Sequence, residues 1–306
     1  MFEESLPEQG RNFSNKIWNA YRLVKGWEVD DKIPQSISSK ASIEWFNNIL
    51  NKEIAQLDDH FNKYRISEAL MVVYKLFWDE FSSWLLEMVK PAYQQPIDAK
   101  TYSELVDIFE KMLSLLHPFM PFITEELWQY LKERKQGESL MISHIPKADS
   151  FDSGLLERFE LMKEVIAGVR TVRQEKNIPN KQSLKLFIKT QDGFGDEVES
   201  IISKLAGLEG LTYTNEKVEG AASFMVKSAE FYIPLEGLVN AEEEIEKLKL
   251  ELEYTKGFLQ SVMKKLSNER FVNSAPAQVV EIERNKQADA ESKIKVIEER
   301  LALLSK

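Results

Sequence analysis

Cysteine is absent from the 306-residue chain. Its absence excludes disulfides and thiolate metal sites and fits a reducing compartment, so a cytoplasmic location is expected. Histidine is scarce: His60, His117 and His144 stand far apart, without a His-x-x-x-His spacing, so no zinc site is expected. No apolar run reaches the ~20 residues needed to cross a membrane. The first ten residues, MFEESLPEQG, are acidic and polar, unlike a secretory signal. A phosphate loop is missing as well. Gly193-Phe194-Gly195 has no following Lys-Ser/Thr and no G-x-G-x-x-G pattern, and reads as a turn. Net positive charge is also lacking. A formal charge of −10 argues against indiscriminate nucleic-acid binding. It leaves room for a local groove of Lys and Arg that takes RNA.

What is present divides into three parts. The length suits two or three domains of ~100–200 residues, and a hydrophobic fraction of 43% supplies real cores. Residues 1–145 read as a helical, aromatic-rich bundle. Phe13, Ile17, Tyr21 and Val24 form one helical stripe, and Ile43, Phe46, Ile49, Leu50, Ile54, Leu57 and Phe61 form another, with Ser42 as a candidate cap. Residues 66–90 read as one strong helix, with Leu70, Val73, Phe77, Phe81, Trp84, Leu85 and Met88 recurring and Pro91 as the stop. Further helices are expected over 101–116 and 124–132, with Thr124 as an N-cap and His117 as a satisfied buried polar group.

Residues 150–238 read as a small α+β module. A helix over 154–176 precedes SLKLFIKT, whose period-2 alternation predicts a strand. A short helix over 197–205 and three further strands follow. Residues 239–306 carry heptads. Ile245, Leu248, Leu252, Thr255, Leu259, Val262 and Leu266 repeat at three and four, and Val280, Glu283, Gln287, Ala290, Ile294, Ile297, Leu301 and Leu304 do the same. KKLSNERFVNSAPAQVV interrupts the two runs, with Pro276 forcing a turn. The fold class expected is therefore mainly α: a bundle, an α+β module, and an antiparallel two-helix coiled coil.

Two stretches are more specific than composition. GRNFSNKIWN (10–19) and HPFMPFITEELW (117–128) resemble the helical anticodon-binding domain of class I aminoacyl-tRNA synthetases of the valine, isoleucine, leucine and methionine group. FWDEFSSWLLEMVKP (77–91) is similar to that family's aromatic helix. IAGVRTVRQEKNIPNKQ (166–182) and the coiled-coil hairpin resemble the valyl-tRNA synthetases. The HIGH-type and KMSKS-type motifs of the family's catalytic domain are not in the sequence, and no region is long enough for its nucleotide-binding or editing domains. The resemblance therefore implies a C-terminal portion of such a ligase. It would bind valine tRNA (tRNA-Val) as a monomer and be catalytically inactive alone. It would need no cofactor itself, while ATP and Mg belong to the parent enzyme's missing N-terminal catalytic half.

The resemblance assigns site residues. Asn12, Lys16 and Asn19 border the tRNA, or else pin the bundle to the catalytic half. Tyr64, Arg65, Trp78 and Phe81 are candidates for stacking unpaired anticodon bases, with Trp78 favoured because it falls off the main stripe. Arg170 and Arg173 lie a turn apart, with Lys176 beyond. They form either a basic ridge toward RNA or a solvated helix face. At the hairpin tip, Lys264, Lys265 and Arg270 are expected on phosphates at the tRNA outer corner, Asn268 on a ribose or base edge, and Phe271 on the corner itself or on the hairpin core. The alternatives are the equivalent portion of an isoleucyl- or leucyl-type ligase, against which the hairpin argues, and a coiled-coil scaffold that dimerises without RNA.

Overall fold

The computed structural model describes residues 5–190, 193–235, 241–267 and 277–304. They form two compact units. The first joins the residues up to Glu175 with Pro179–Pro234; the second joins Lys176–Ile178 with the residues from Leu235 onward. The bundle and the α+β module expected from the sequence share the first unit, because α7 (Ser153–Glu175) and α8 (Asp196–Ala206) both pack on α2 (Ile37–Asn62).

α1 (Ser5–Lys25) buries Phe13, Ile17, Ala20 and Val24. Tyr21, expected in that stripe, sits at its edge, with ring centroids 6.0 Å from Trp18 and 6.4 Å from Tyr130. α2 starts ahead of Ser42, the candidate cap. Ser36 is its cap, accepting the Ser39 N–H at 3.0 Å, whereas Ser42 is buried and donates to Ser38 O at 2.7 Å. A hydroxyl turned into the core satisfies itself on the preceding turn and is lost to capping.

The helix expected over 66–90 is continuous but not uniform. α3 (Ile66–Lys75) runs into a π-helical segment, Leu76–Leu85, and then into α4 (Leu86–Val89). The Leu86 N–H reaches back five residues to Phe81 O. The Ser83 hydroxyl likewise donates to Trp78 O at 2.9 Å. Turns closed over five residues keep Phe77, Phe81 and Leu85 on one inward face, and all three are fully buried. Phe81 lies 5.7 Å from Phe46, 5.2 Å from Phe77 and 5.0 Å from Phe109 between ring centroids, in tilted and edge-on arrangements that suit aromatic quadrupoles. Trp45 of α2 stacks on Phe159 of α7 at 5.2 Å and 8°, which ties the two helices together.

Two short strands, β1 (Val29–Asp30) and β2 (Ile97–Asp98), pair in parallel ahead of α5 (Ala99–Leu116). Asp98 caps α5 by accepting the Thr101 N–H at 2.7 Å. α6 (Pro121–Leu131) begins at its proline, so Thr124 is not a cap. Its buried hydroxyl donates to Met120 O at 2.8 Å and shares a 2.8 Å hydrogen bond with His117 Nδ1. His117 is satisfied, as expected, but only half-buried.

The module is a four-stranded sheet in the order β4–β3–β6–β5. β3 (Leu184–Lys189) buries Leu184, Leu186 and Ile188, as its alternation predicts. It runs parallel to β4 (Leu208–Tyr213), and α8 supplies the crossover that a parallel pair requires. β6 (Ala229–Pro234) pairs antiparallel with both β3 and β5 (Ala221–Val226). α7 covers this sheet so closely at Gly168 that an added Cβ would stand 2.3 Å from the Phe224 ring.

In the second unit, α9 (Ala241–Leu266) packs against α10 (Ala277–Leu304). Ion pairs Lys256–Glu298 and Lys265–Glu283 link rising numbers on α9 to falling numbers on α10, so the pair is antiparallel. Thr255, Val262, Val280, Glu283, Ala290 and Ile297 are buried in the seam, matching the heptads. The side chains of Ile245, Leu248, Leu301 and Leu304 lie outside the described residues. Glu283 is an acid in an apolar position. Its carboxyl is held below the usual glutamate range, first by the hydrogen bond from Lys286, against the opposing effect of burial, and then by the charge of Lys265.

Three outcomes follow for stability. Arg173→Leu takes a donor from four carbonyl oxygens, those of Pro179, Gln182, Ala206 and Gly207, of which Pro179 O and Gly207 O keep a backbone N–H. Urea unfolding should show a loss of about 2–3 kcal/mol, and a loss below about 0.5 kcal/mol would contradict that role. Gly168→Ala should cost about 1–3 kcal/mol through overpacking, and Phe224→Leu in the same chain should recover part of it. Glu283 has a depressed folded pKa, so its contribution is present above the unfolded glutamate value of about 4.3 and lost as pH falls through the lower folded value. The melting temperature of the coiled coil should drop in that acid window, and Glu283→Gln should flatten the drop.

Candidate nucleic-acid interface

The sequence-derived residues of the first unit separate into a cluster, two exposed outliers, two core residues and Arg170, which is exposed on α7. The cluster forms where α1 crosses the π-helical segment. Trp78 is half-buried there, stacked on Tyr74 at 5.6 Å and 19° and on Phe13 at 6.2 Å and 29°. Lys16 Nζ lies 5.1 Å from the Trp78 ring centroid, a cation–π distance. A cation resting on a ladder of rings is chemistry suited to a base and its phosphate. Asn12 and Asn19 are exposed on α1 beside this cluster. Tyr74, half-buried, was not singled out from the sequence, although its i, i+4 spacing to Trp78 is a readable signal.

Tyr64 and Arg65 stand at the opposite end of this helix, in the turn between α2 and α3. Tyr64 is 89% exposed and its φ is +57°. Fourteen residues separate it from Trp78, roughly 20 Å along a helix axis. The two rings therefore serve as separate contacts rather than one stack.

Two residues assigned to the interface are core. Phe81 has no exposed surface and sits among Phe46, Phe77 and Phe109, so no base reaches its face. The α-helical period places Phe81 in the apolar stripe, and the wider turn draws it fully inward. Arg173 is 5% exposed and spends its guanidinium on the carbonyls at the ends of α7 and α8. It does not share a ridge with Arg170 and Lys176, which are exposed. Arg170 lies 5.8 Å from the Trp84 ring centroid. Trp84 also flanks Lys163, which is buried and ion-paired to Glu80 at 2.6 Å and Glu160 at 2.7 Å. Burial raises the Glu80 carboxyl above its ordinary range, with Lys163 opposing the shift. That pair is a strut between the π-helical segment and α7.

On the coiled coil, Lys264 and Lys265 occupy the last turn of α9, both exposed. They are not equivalent. Lys265 is shared with Glu283 at 3.9 Å, whereas Lys264 has no ion pair among the described residues. Asn268, Arg270, Phe271 and Pro276 lie outside the described residues.

Among the described residues no group of His, Cys, Asp and Glu is placed to hold a metal ion, and no helix is long and apolar enough to cross a membrane. Comparison with known proteins adds two matches. Residues 44–188 match the anticodon-binding domain of tRNA ligase, a span that starts after α1 and ends within β3. Residues 240–305 match the valyl tRNA synthetase tRNA binding arm. Full-chain relatives include the valine–tRNA ligases of Parabacteroides distasonis, 57% identical over 100% of this chain, and Phocaeicola vulgatus, 53% identical over 100%. That of Enterococcus faecalis is 37% identical over 96% of the chain. The chain spans about 35% of the length of each of these relatives. With both matched domains in order and this identity along its whole length, the chain belongs to the valine–tRNA ligase family.

Proposed function

We propose that this chain is the tRNA-recognition portion of a valine–tRNA ligase, the C-terminal part of an enzyme that joins valine to tRNA with ATP and Mg. The activation, transfer and editing chemistry belongs to the N-terminal portion of the longer enzyme. The chain acts as a monomer in the cytoplasm, and its partners are valine tRNA and that N-terminal portion. The observation that carries this reading is the joint occurrence, in one chain, of a match to an anticodon-binding domain and a match to a tRNA binding arm.

The roles divide by chemistry. Anticodon bases are unpaired and stack on rings. Trp78, backed by Tyr74 and Phe13 and topped by Lys16, offers a face and a cation together. Tyr64 and Arg65 supply a second ring and cation with free access. Asn12 and Asn19 bond ribose or phosphate, which positions RNA without reading it. At the far end of the chain, Lys264 neutralises phosphate more readily than Lys265, which must first leave Glu283. Asn268, Arg270 and Phe271 complete the tip.

Filter binding to valine tRNA, to the same tRNA with an altered anticodon, and to an unrelated tRNA, each at two salt concentrations, tests this reading. Preference for valine tRNA that disappears with the anticodon change is expected. No binding to any of the three would contradict it. Trp78→Ala should weaken binding by about 5- to 100-fold, the worth of one stacked base, with helicity unchanged. A dissociation constant equal to the unaltered chain's would remove Trp78 from the interface.

A further inference from the structure

Away from the cluster at Trp78, the first unit carries a strip of large apolar side chains in water. α1 provides Trp18 and Tyr21, α6 provides Tyr130 and Phe122, and the 3-10 turn Leu140–Ile142 provides Met141 and Ile142. Phe122 is 91% exposed, Met141 75%, Ile142 74%, Tyr130 54% and Trp18 37%. Neighbouring contacts join them in order. Tyr21 lies between Trp18 and Tyr130, 6.0 and 6.4 Å from them between ring centroids. Tyr130, Glu126 and Phe122 then follow at steps of four along one row of α6. Beside that row, Glu125 accepts the Ser139 hydroxyl at 3.0 Å and the Leu140 N–H at 2.9 Å, which clamps the 3-10 turn to α6. Leu140 is buried under the clamp, and Met141 and Ile142 stay outside.

The strip is separate from the RNA-facing cluster. At about 100° per residue, Phe13, Ile17 and Val24 of α1 face the core, Asn12, Lys16 and Asn19 lie on one flank, and Trp18 and Tyr21 lie on the other. The charges on these rows, Arg22 and Lys25 on α1 and Glu125 and Glu126 on α6, cancel, so a phosphate backbone finds no net attraction here. An apolar strip of this kind marks a contact with protein.

We propose that this strip is the surface on which the N-terminal portion of the longer ligase docks, through an apolar face of its own. The inference rests on the function proposed above and names the surface that joins the two portions. The chain spans about 35% of the length of its relatives. On that reading the remainder of the enzyme leads into α1, the element that opens the strip. A body joined through the backbone is held at high effective concentration, so a small patch retains it. A second copy of the chain has no such help. Six side chains of this kind offer on the order of 500 Å², given the ~150–250 Å² an aromatic residue can bury, against about 800 Å² per partner in a stable interface.

The test uses the intact ligase that contains this chain, with a photo-crosslinking phenylalanine analogue in place of Phe122 or of Ile142. Irradiation should join both positions to the N-terminal portion of the same molecule, and the analogue in place of Tyr64 should give no such product. Phe122→Ser/Met141→Ser/Ile142→Ser should speed protease cleavage ahead of α1 in the intact ligase by at least about tenfold. The same variant should shift the melting temperature of the chain alone by less than about 2 °C. A larger shift in the chain alone overturns the proposal, because the strip then packs within the chain. Cross-links to a second copy, or to added valine tRNA, overturn it in favour of those occupants. If the intact ligase binds no valine tRNA, the reading of the whole chain fails and this surface fails with it. If it binds and neither analogue reaches the N-terminal portion, only the docking surface fails.

Discussion

Between Leu76 and Leu85 the backbone closes its turns over five residues instead of four. The core around Phe81 and the setting of Trp78 are both built on that segment. It turns Phe77, Phe81 and Leu85 inward onto Phe46 and Phe109, making a core that stays closed without cysteine or metal. The same turns leave Trp78 and Trp84 at the margin. There Trp78 meets Lys16 from α1, and Trp84 lies between Lys163 and Arg170. Among the aromatic residues of one helix, the winding thus separates rings that pack from rings that remain available.

The second constraint is the placement of polar groups where apolar ones would be more stable. Arg173 binds four carbonyls and joins the end of α7 to the end of α8. Lys163 and Glu80 bridge α7 to the π-helical segment from a buried position. Such pairs add little net stability but are costly to break singly, and so they fix geometry. Glu283 plays the corresponding part in the coiled coil. Its ion pair with Lys265 links the two helices from a seam position.

Much of this was legible in the chain. The heptads of both helices, the alternation of SLKLFIKT and the stripes of α1 and α2 each follow from a single period, and the described residues keep them. Local competition was less legible. Ser42 and Thr124 have cap chemistry, yet both face the core and bond the preceding turn, leaving the starts to Ser36 and Pro121. Arg173 reads as one of a basic row, because nothing in its neighbourhood announces the carbonyls that gather around it from α8. Phe81 sits in the apolar stripe and Trp78 off it, so the period already separated the two, and assigning Phe81 to the interface went against that signal. That bundle and module share one compact unit was also hidden, since packing of α7 and α8 on α2 depends on contacts far apart in sequence.

In the proposed function the chain is a two-ended grip on one tRNA, with rings of the bundle at the anticodon and the arm elsewhere on the molecule. Hydroxyl-radical footprinting of valine tRNA by this chain tests that claim most directly. Two separated protections are predicted, one over the anticodon loop and one outside the anticodon stem and loop, with the second lost when residues 240–306 are removed. A single protected region, or protection unchanged by that removal, would contradict it.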